Sequence, residues 1–389
     1  MAVARGWPVA LMCHAVVVQA LTYVVRPTTA YRALELDVPA SQLGLLSGAF
    51  AVVPLLIAIP VGRMTDLRGE RLALWSGAGL MLVATVGLAW LANSLTALLL
   101  WSVVLGVGHL LTIVGEQTTV TVLRGARGLD SAFGRYTLSV SFGQIVGPGL
   151  ITLLGGDGAI PDTSAVLGGA VVLAVVLVVS TAALRTGASG PARDDPPGSL
   201  RLAMRVTGPV RRELLTAIAA SLVLIAAIDL LVVYLPALGA QAGISAGTVG
   251  VLLSVRAAAS MVSRMFVGTL VARFRRLPTL GASLALSALA VAAIPVPMPL
   301  AVLFAVMAVG GLTLGIGQPL TMAWVTEASP PGARATWLSV RLTGNRLGQT
   351  VVPTVAGLAA SSAGVGGVLW VMAAALAGVA LVVRRDRPA

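Results

Sequence analysis

The sequence predicts an all-α integral membrane protein with twelve transmembrane helices, arranged as two tandem six-helix halves. Three observations lead to this fold class. The 389 residues are 57% hydrophobic and only 10% charged, the mean hydropathy is +0.97, and long apolar runs alternate with short polar turns along the whole chain. Because one span takes about 20 apolar residues, twelve spans use roughly 240 and leave too few for a sizeable soluble domain. The composition therefore excludes a soluble enzyme with a core of its own.

Twelve apolar runs of at least about 17 residues are long enough to cross a bilayer. The first run follows Arg5 and has the charge pattern of a signal peptide. It lacks a convincing small-residue cleavage site, so we interpret it as a retained helix. The runs lie at 8–31, 40–62, 72–92, 95–121, 132–154, 164–184, 213–238, 246–270, 278–294, 300–325, 335–360 and 364–383.

A polar segment separates the sixth run from the seventh. Residues 185–212 are rich in proline, glycine and arginine, and such a composition cannot bury enough apolar surface to fold alone. We therefore expect an N-terminal six-helix bundle at 1–184, a linker at 185–212 and a C-terminal six-helix bundle at 213–389.

Arginines are concentrated in alternate turns, which indicates how the chain is oriented. Arg63, Arg68 and Arg71 follow the second span, whereas the next turn along the chain has no basic residue and Arg32 is the one clear exception near an outer turn. Positively charged turns stay in the cytoplasm. We therefore expect a multi-pass protein of the cytoplasmic (inner) membrane, with both termini and the linker on the cytoplasmic side.

The two halves repeat each other at offsets of 205 to 209 residues. Matches at such constant offsets across six helices are not expected by chance, even in a glycine-rich chain. Parallel repeats of this kind enclose a midplane site at their interface and alternate its access by rocking. The matched positions are Gly44 with Gly250, Gly62 with Gly268, 105–108 with 314–317, Gly143 with Gly348, and Pro148 with Pro353.

The turn after the second span contains a motif with the spacing Gly-x-x-x-Asp-x-x-Gly-x-Arg, formed by Gly62, Asp66, Gly69 and Arg71. Gly62 would let two helices approach closely, Gly69 would supply the turn, and Asp66 would face the positive N-terminus of a neighbouring helix. A solvated turn that obeys the positive-inside rule would explain the arginines, but not Asp66 and Gly69 at this spacing. The motif and its place resemble the loop motif of the major facilitator superfamily.

This resemblance covers the whole chain, including the twelve spans, the tandem halves and the central linker. It implies a secondary active transporter of a small solute, driven by an ion gradient. It also implies that Asp66 forms a conformational latch against the eleventh span near Thr336. Ala272 stands where Asp66 would recur in the second half, so only the first half is expected to be latched.

The fifth span carries Gly134, Gly143, Gly147 and Pro148. Glycines four apart allow close helix packing, and a proline bends a helix by removing a backbone donor. The pattern resembles the antiporter motif of proton-coupled drug exporters in the same superfamily, and ordinary small-residue packing is the alternative. The resemblance stops at the fourth span, where Ser102 replaces the buried arginine of those exporters.

Ionisable residues inside the spans give the most direct indication of a site, because each costs about 2.5–3.5 kcal/mol at a helix centre. The arginines exceed the carboxylates by one, so an anionic group on the substrate would balance them. Arg264 and Arg341, nearer the cytoplasmic ends, are interpreted as structural pins. Since Asp229 maps within a turn of Arg26 through the repeat, the two are expected to meet. The candidates are Arg26, Arg256 and Arg346 for substrate, with Tyr23 and Gln349 as neutral partners, and Asp229, Glu116 and His109 for protons.

Two histidines remain open to two interpretations. His14 and His109 could each carry a proton or be satisfied packing residues. Gln19 and Tyr31 are further neutral candidates for lining a cavity.

Several other chemistries are excluded by the residue types. All 26 basic residues are arginine and lie between apolar runs, so the net charge of +12 does not indicate nucleic acid binding. Cys13 is the only cysteine and the two histidines lack a second ligand at metal spacing, so neither a disulfide within the chain nor a metal site is predicted. Without lysine there is no phosphate-binding loop for ATP.

The sequence thus predicts a transporter and not an enzyme, with no cofactor. We expect proton-coupled export of a drug-like or metabolite solute, and the alternative is proton-coupled uptake of a small organic anion. The expected partners are that solute, protons and the lipid bilayer, and the protein is expected to be a monomer.

Overall fold

The computed structural model describes residues 7–122, 128–184, 206, 208–329 and 334–385, and these residues form long helices joined by short turns. The all-α fold class is therefore confirmed. The helices are α1 Trp7–Glu35, α2 Ala40–Arg68, α3 Glu70–Trp90, α4 Leu95–Val122, α5 Gly128–Leu154, α6 Thr163–Ala183, α7 Gly208–Gln241, α8 Ala246–Phe274, α9 Arg276–Ala293 and α10 Leu300–Ala328, followed by the segment Arg334–Arg385.

The last helical segment is broken at Gly364, whose φ of 64° is not helical. We number residues 334–363 as α11 and residues 364–385 as α12. Among the described residues, eleven helices are long and apolar enough to cross a membrane, and α11 is not one of them. The reason is its composition, because Arg341, Asn345 and Arg346 lie within three turns of one another. The twelve predicted helices are present, and α11 is the polar one.

The described residues pack as two compact units. The first contains α1, most of α2, α3 to α6, and the segment Leu235–Ala257. Within it, α1 packs against α4, α5 and α6, and α3 packs against α4 and α6. The second contains Ala40–Gly48 at the start of α2, the earlier part of α7, and the chain from Ala258 onward, where α9 packs against α10 and the last helical segment. Each unit therefore contains segments from both predicted bundles, whose boundaries stay a prediction.

Repeat-related glycines make the same contact in the two units. A Cβ built on Gly143 of α5 would lie 2.4 Å from the carbonyl oxygen of Val16 in α1. A Cβ built on Gly348 of α11 would lie 2.9 Å from the carbonyl oxygen of Leu222 in α7. Val16 and Leu222 are themselves 206 residues apart. The first and fifth helices of each repeat thus approach each other closely through a glycine.

A second matched pair of contacts joins segments from different predicted bundles. Within the second unit, a Cβ on Gly44 of α2 would lie 2.0 Å from the carbonyl oxygen of Pro353 in α11. Within the first unit, a Cβ on Gly250 of α8 would lie 2.5 Å from the carbonyl oxygen of Pro148 in α5. Both the glycines and the prolines are repeat-related. Only glycine fits at these crossings without movement of the neighbouring backbone.

The turns between the second and third helices of each repeat also correspond. Gly69, between α2 and α3, has φ 86° and ψ 158°, and its N–H donates to the carbonyl oxygen of Thr65. Arg275, between α8 and α9, has φ 64° and ψ 158°. This backbone conformation is adopted almost only by glycine. The first half uses a glycine there, whereas the second half holds an arginine in a strained conformation.

Candidate functional site

A buried polar cluster joins four helices of the first unit. The Nδ1 atom of His14 in α1 lies 2.7 Å from Oε1 of Glu116 in α4, and its Nε2 atom lies 3.0 Å from the hydroxyl oxygen of Thr181 in α6. The hydroxyl of Tyr136 in α5 donates to the other carboxyl oxygen of Glu116 at 2.9 Å. The side chains of His14 and Glu116 are fully buried. We call these four residues the histidine–glutamate cluster.

The hydrogen bonds fix how protons are placed in this cluster. The Thr181 hydroxyl donates to the carbonyl oxygen of Leu177 at 2.8 Å, so it accepts from Nε2–H of His14. A single proton then lies between His14 Nδ1 and Glu116 Oε1, on one atom or the other. In either arrangement the pair is electrically neutral.

Apolar residues surround the cluster and keep water away from it. Leu11 and Ala15 flank His14 on α1, and they belong to a buried group that also contains Leu74, Val120 and Tyr136. Helical spacing explains why His14 is buried. Leu11 and Val18 lie three residues before and four residues after it, hence on the same face of α1, and both are buried. A charge imbalance in the cluster would therefore be costly.

A second contiguous group in the first unit links Arg26 to His109. The guanidinium carbon of Arg26 lies 4.5 Å from the ring centroid of Phe50 in α2, which is a cation–π distance. The Phe50 ring contacts the His109 ring at 5.4 Å between centroids. The amide nitrogen of Gln19 lies 3.4 Å from Nε2 of His109. The sequence predicted functions for Arg26 and His109, and the structure brings them together through Phe50.

The α5 motif packs on two helices. Gly143 contacts α1, and a Cβ on Gly147 would lie 2.9 Å from the Cβ of Tyr23, also in α1. Before Pro148, the carbonyl oxygen of Ile145 accepts from the hydroxyl of Ser254 in α8 at 2.8 Å. Beyond Pro148, the hydroxyl of Thr152 donates to the carbonyl oxygen of Gly247 in α8 at 2.8 Å. Gly143 and Gly147 thus pack closely against α1. Gly134 lies in α5, but its surroundings are outside the described part of the structure.

The structure describes only some of the residues predicted to form the latch. Gly69 forms the expected turn, and Arg71 is exposed at the start of α3. The close helix approach expected at Gly62 is wrong for the described residues, because none of their atoms lies within 4 Å of a Cβ built there. The side chains of Asp66 and Thr336 lie outside the described residues, so the latch stays a prediction.

The remaining predicted residues are buried or half-buried in α1, α7, α8 and α11. Asp229 and Arg256 are each 2% exposed, and Tyr31 and Tyr23 are also buried. In α11, the half-buried Arg346 donates to the amide oxygen of Gln349 at 3.1 Å. The predicted contact of Asp229 with Arg26 stays a prediction.

The second unit contains another polar cluster, around Arg341. Its NH2 group donates to the carbonyl oxygen of Gln318 at 3.1 Å, to the side-chain oxygen of Gln318 at 2.8 Å and to the hydroxyl of Thr321 at 3.1 Å. The hydroxyl of Ser221 in α7 donates to the amide oxygen of Asn345 at 2.7 Å. We call Arg341, Gln318, Thr321, Ser221 and Asn345 the arginine cluster.

Sequence reasoning missed several members of these groups. Tyr136 and Thr181 lie 20 and 65 residues from Glu116 along the chain, and a tyrosine or threonine in an apolar helix gives no signal by itself. Phe50 looked like an ordinary apolar residue of α2. The one available signal was the cost of burying Glu116, which requires donors nearby.

Comparison with known proteins agrees with this architecture. The sequence profile of the Major Facilitator Superfamily matches residues 11–243 and 217–389. Among solved structures, a bacterial homologue of the human lysosomal transporter Spinster, inward-facing and unoccupied, has 17% identity and a TM-score of 0.76, with 100% of both chains covered. The nucleoside transporter NupG has 13% identity and a TM-score of 0.78, with 98% of both chains covered.

A third similar structure is the inward open conformation of the xylose transporter XylE from E. coli, with 14% identity and a TM-score of 0.76 over 98% of this chain and 97% of that one. At such identities these likenesses show the fold alone. A search of curated protein sequences gave no match. Since the family profile covers nearly the whole chain, this protein belongs to the major facilitator superfamily.

Proposed function

We propose that this protein is a proton-coupled secondary transporter that exports a small organic solute through the cytoplasmic membrane by alternating access. The observation that carries the proposal is the buried contact of His14 with Glu116. Membership of the superfamily supports transport of a small molecule, and the histidine–glutamate cluster supplies a group that can bind a proton away from water.

The cluster couples protonation to conformation through its electrostatics. With one shared proton, His14 and Glu116 are neutral together and all their bonds are made. Removing that proton leaves a net negative charge, and adding another gives a net positive charge and sets two donors facing each other. Both changes are costly in an apolar surrounding. Proton exchange therefore requires the cluster to open, and opening toward one side of the membrane at a time would drive transport.

The experiment is solute accumulation by purified protein in proteoliposomes with an imposed pH gradient, screened over pooled labelled solutes. Wild type should accumulate its solute only while the gradient lasts. Glu116→Gln keeps the size of the side chain, but the amide cannot gain or lose a proton as a carboxyl group does. This variant should lose gradient-driven accumulation and retain counterflow between loaded vesicles. Accumulation that persists with a protonophore would rule out proton coupling.

A matched control is Glu213→Gln. Glu213 is an exposed residue at the start of α7 that accepts a hydrogen bond from Trp324. Because its carboxylate lies at the surface, this variant should accumulate solute as wild type does. Equal loss in both variants would indicate damage to folding and not to proton binding.

Export is supported by the α5 motif, which resembles that of drug exporters and whose Gly143 and Gly147 pack closely against α1. Uptake of an organic anion is the second candidate, favoured by the burial of Arg256 and Arg26 at 2% and 7% exposure. Vesicles of defined orientation separate the two. With an acidic exterior, right-side-out vesicles should expel the solute if the protein exports it, and accumulate it if the protein imports it.

Further roles are proposed for residues that the contacts leave open. We assign Asp229 and His109 to proton transfer, and Arg256 and Arg346 to substrate binding, with Tyr23 and Gln349 beside them. Asp66 is proposed as the latch, so that Asp66→Asn lowers transport without lowering expression. Normal transport by a well-inserted Asp66→Asn protein would contradict the latch.

We also propose cytoplasmic termini, a monomeric transporter and no catalytic activity. Labelling of single cysteines placed near residues 4 and 387, after replacement of Cys13, tests the orientation. Light scattering of the purified protein tests the monomer.

A further inference from the structure

We propose that Arg341 binds a carboxylate group of the transported solute, at a polar site formed by α7, α10 and α11. This inference rests on the proposed function, because it names the substrate class of that transporter. It gives a binding role to a residue that the sequence alone indicates to be a structural pin.

The first argument is the set of groups that Arg341 contacts. The residue is 5% exposed, and its three hydrogen bonds go to uncharged oxygens of Gln318 and Thr321. Thr321 has already given its own hydroxyl proton to the carbonyl oxygen of Gly317, so it acts toward Arg341 only as an acceptor. The guanidinium is thus held in place by neutral groups that do not balance its charge.

The second argument is the charge itself. Among the side chains that the structure describes, which do not include those of Asp66 and Asp130, no carboxylate lies within ion-pair distance of Arg341. Its buried Nε atom also has no hydrogen-bond acceptor among those residues. A buried cation without a counter-charge is costly, and an anion that binds there would remove that cost. A purely structural role for Arg341 would explain its three hydrogen bonds. It would not explain why a charged side chain is buried there without a described counter-charge.

The third argument is that neighbouring side chains are already oriented. Gln318 donates its amide nitrogen to the carbonyl oxygen of Ser221 at 3.3 Å, which turns its oxygen toward Arg341. Asn345 lies one turn along α11 from Arg341, and its oxygen accepts from Ser221. The amide nitrogen of Asn345 is therefore available as a donor. An oriented amide donor beside an arginine suits a planar carboxylate, which can accept from both the guanidinium and that amide.

The test is thermal unfolding of the full-length protein in detergent, with no membrane gradient. The probes are acetate, lactate, succinate and benzoate, each compared with its neutral amide at equal concentration. At least one carboxylate should raise Tm in a saturable way while its amide does not. Arg341→Gln should abolish this rise. Arg341→Lys keeps the charge but loses the fork, so it should weaken the apparent Kd at least about tenfold.

Two further variants keep the test decisive if Arg341→Gln does not fold. Asn345→Ala leaves the charge in place and should weaken the apparent Kd several-fold. Arg276→Gln is the matched control, since Arg276 is an arginine of the same unit that pairs with the exposed Glu327, and it should leave the Tm rise unchanged. The inference is overturned if no carboxylate raises Tm above its amide, or if the rise is the same in wild type and the Arg341 variants.

The outcome is separable from that of the proposed function. A protein that binds a carboxylate through Arg341 but shows no gradient-driven accumulation contradicts proton-coupled transport alone. A proton-driven transporter whose Tm ignores all four carboxylates contradicts the anion site alone.

Discussion

The fifth helix of each repeat places a hydrogen-bond donor at the same position, but the two donors face different charges. Tyr136 and Arg341 are 205 residues apart, the offset that also relates Gly143 to Gly348. Tyr136 donates to the carboxylate of Glu116 in α4. Arg341 donates to neutral oxygens in α10. The first half therefore contains a buried carboxylate that we propose to bind protons, and the second half contains a guanidinium that pairs with none of the carboxylates whose side chains are described.

This difference shows which features the repeat specifies. The close crossings through glycine set the positions of the helices, and they are the same in both halves. The polar side chains on that framework are not the same. The two proposed tasks would then be divided between the halves of a duplicated scaffold, with proton binding in the histidine–glutamate cluster and anion binding in the arginine cluster.

The largest effect is expected from removing the acceptor in the histidine–glutamate cluster, and the matched change in the arginine cluster should cost less. In Glu116→Ala, both His14 and Tyr136 lose their partner inside an apolar core, so the free energy of unfolding should fall by about 3 kcal/mol. In Gln318→Ala, Arg341 keeps the backbone carbonyl oxygen and Thr321 as acceptors, so the loss should be about 1 kcal/mol. Thermal unfolding in detergent measures both. Equal losses would mean that the two clusters are equivalent in stability.

The glycine crossings should give the next largest effects. Gly44→Ala places a Cβ 2.0 Å from the Pro353 carbonyl oxygen, and Gly250→Ala places one 2.5 Å from that of Pro148. Each should destabilise the protein by about 1–3 kcal/mol, with the larger loss at Gly44, because the backbones must separate.

Gly62→Ala is the control for these two variants. It lies in the same helix as Gly44, and none of the described atoms would touch its Cβ. Since alanine favours a helix over glycine by about 0.5–1 kcal/mol, Gly62→Ala should be neutral or slightly stabilising. A loss at Gly62 as large as that at Gly44 would show that the crossing is not the cause.

The fold could be predicted from the sequence because the features that specify it lie within short stretches of the chain. Long apolar runs specify helices in a bilayer, and the turn at Gly69 follows from a residue type that adopts its conformation. The repeat offsets also indicated which glycines and prolines correspond, although not that Gly44 packs on Pro353 or Gly250 on Pro148.

The candidate site could be predicted only in part, because its contacts join residues that are far apart along the chain. The cost of burial identified Glu116 and Arg26 as candidates. It could not identify Tyr136 or Thr181 as the partners of Glu116 and His14, since apolar helices give no register between α1, α4, α5 and α6. The sequence indicated only a structural role for Arg341, because the contacts of this residue depend on how α10 and α11 face each other.

A smaller effect is expected from removing one donor of the histidine–glutamate cluster. Tyr136→Phe keeps the ring and deletes the hydroxyl that donates to Glu116. Loss of a hydrogen bond to a carboxylate should cost about 1.5 kcal/mol. Thermal unfolding in detergent measures this loss. An unchanged Tm would show that the Tyr136 hydroxyl does not stabilise the cluster.

A small effect, in this case a gain in stability, is expected at the turn between α8 and α9. Arg275 holds the backbone conformation that Gly69 holds in the first half, with φ 64° against 86° and ψ 158° in both. That conformation costs a non-glycine residue about 1–3 kcal/mol. Glycine loses more entropy on folding, which offsets about 0.5–1 kcal/mol of the relief. Arg275→Gly should therefore stabilise the protein by about 1 kcal/mol, whereas Gly69→Ala should destabilise it. Arg275→Ala separates strain from charge, because it removes the guanidinium but keeps the Cβ. If Arg275→Ala stabilises as much as Arg275→Gly in thermal unfolding, the gain comes from lost charge repulsion and the two turns are not strained alike.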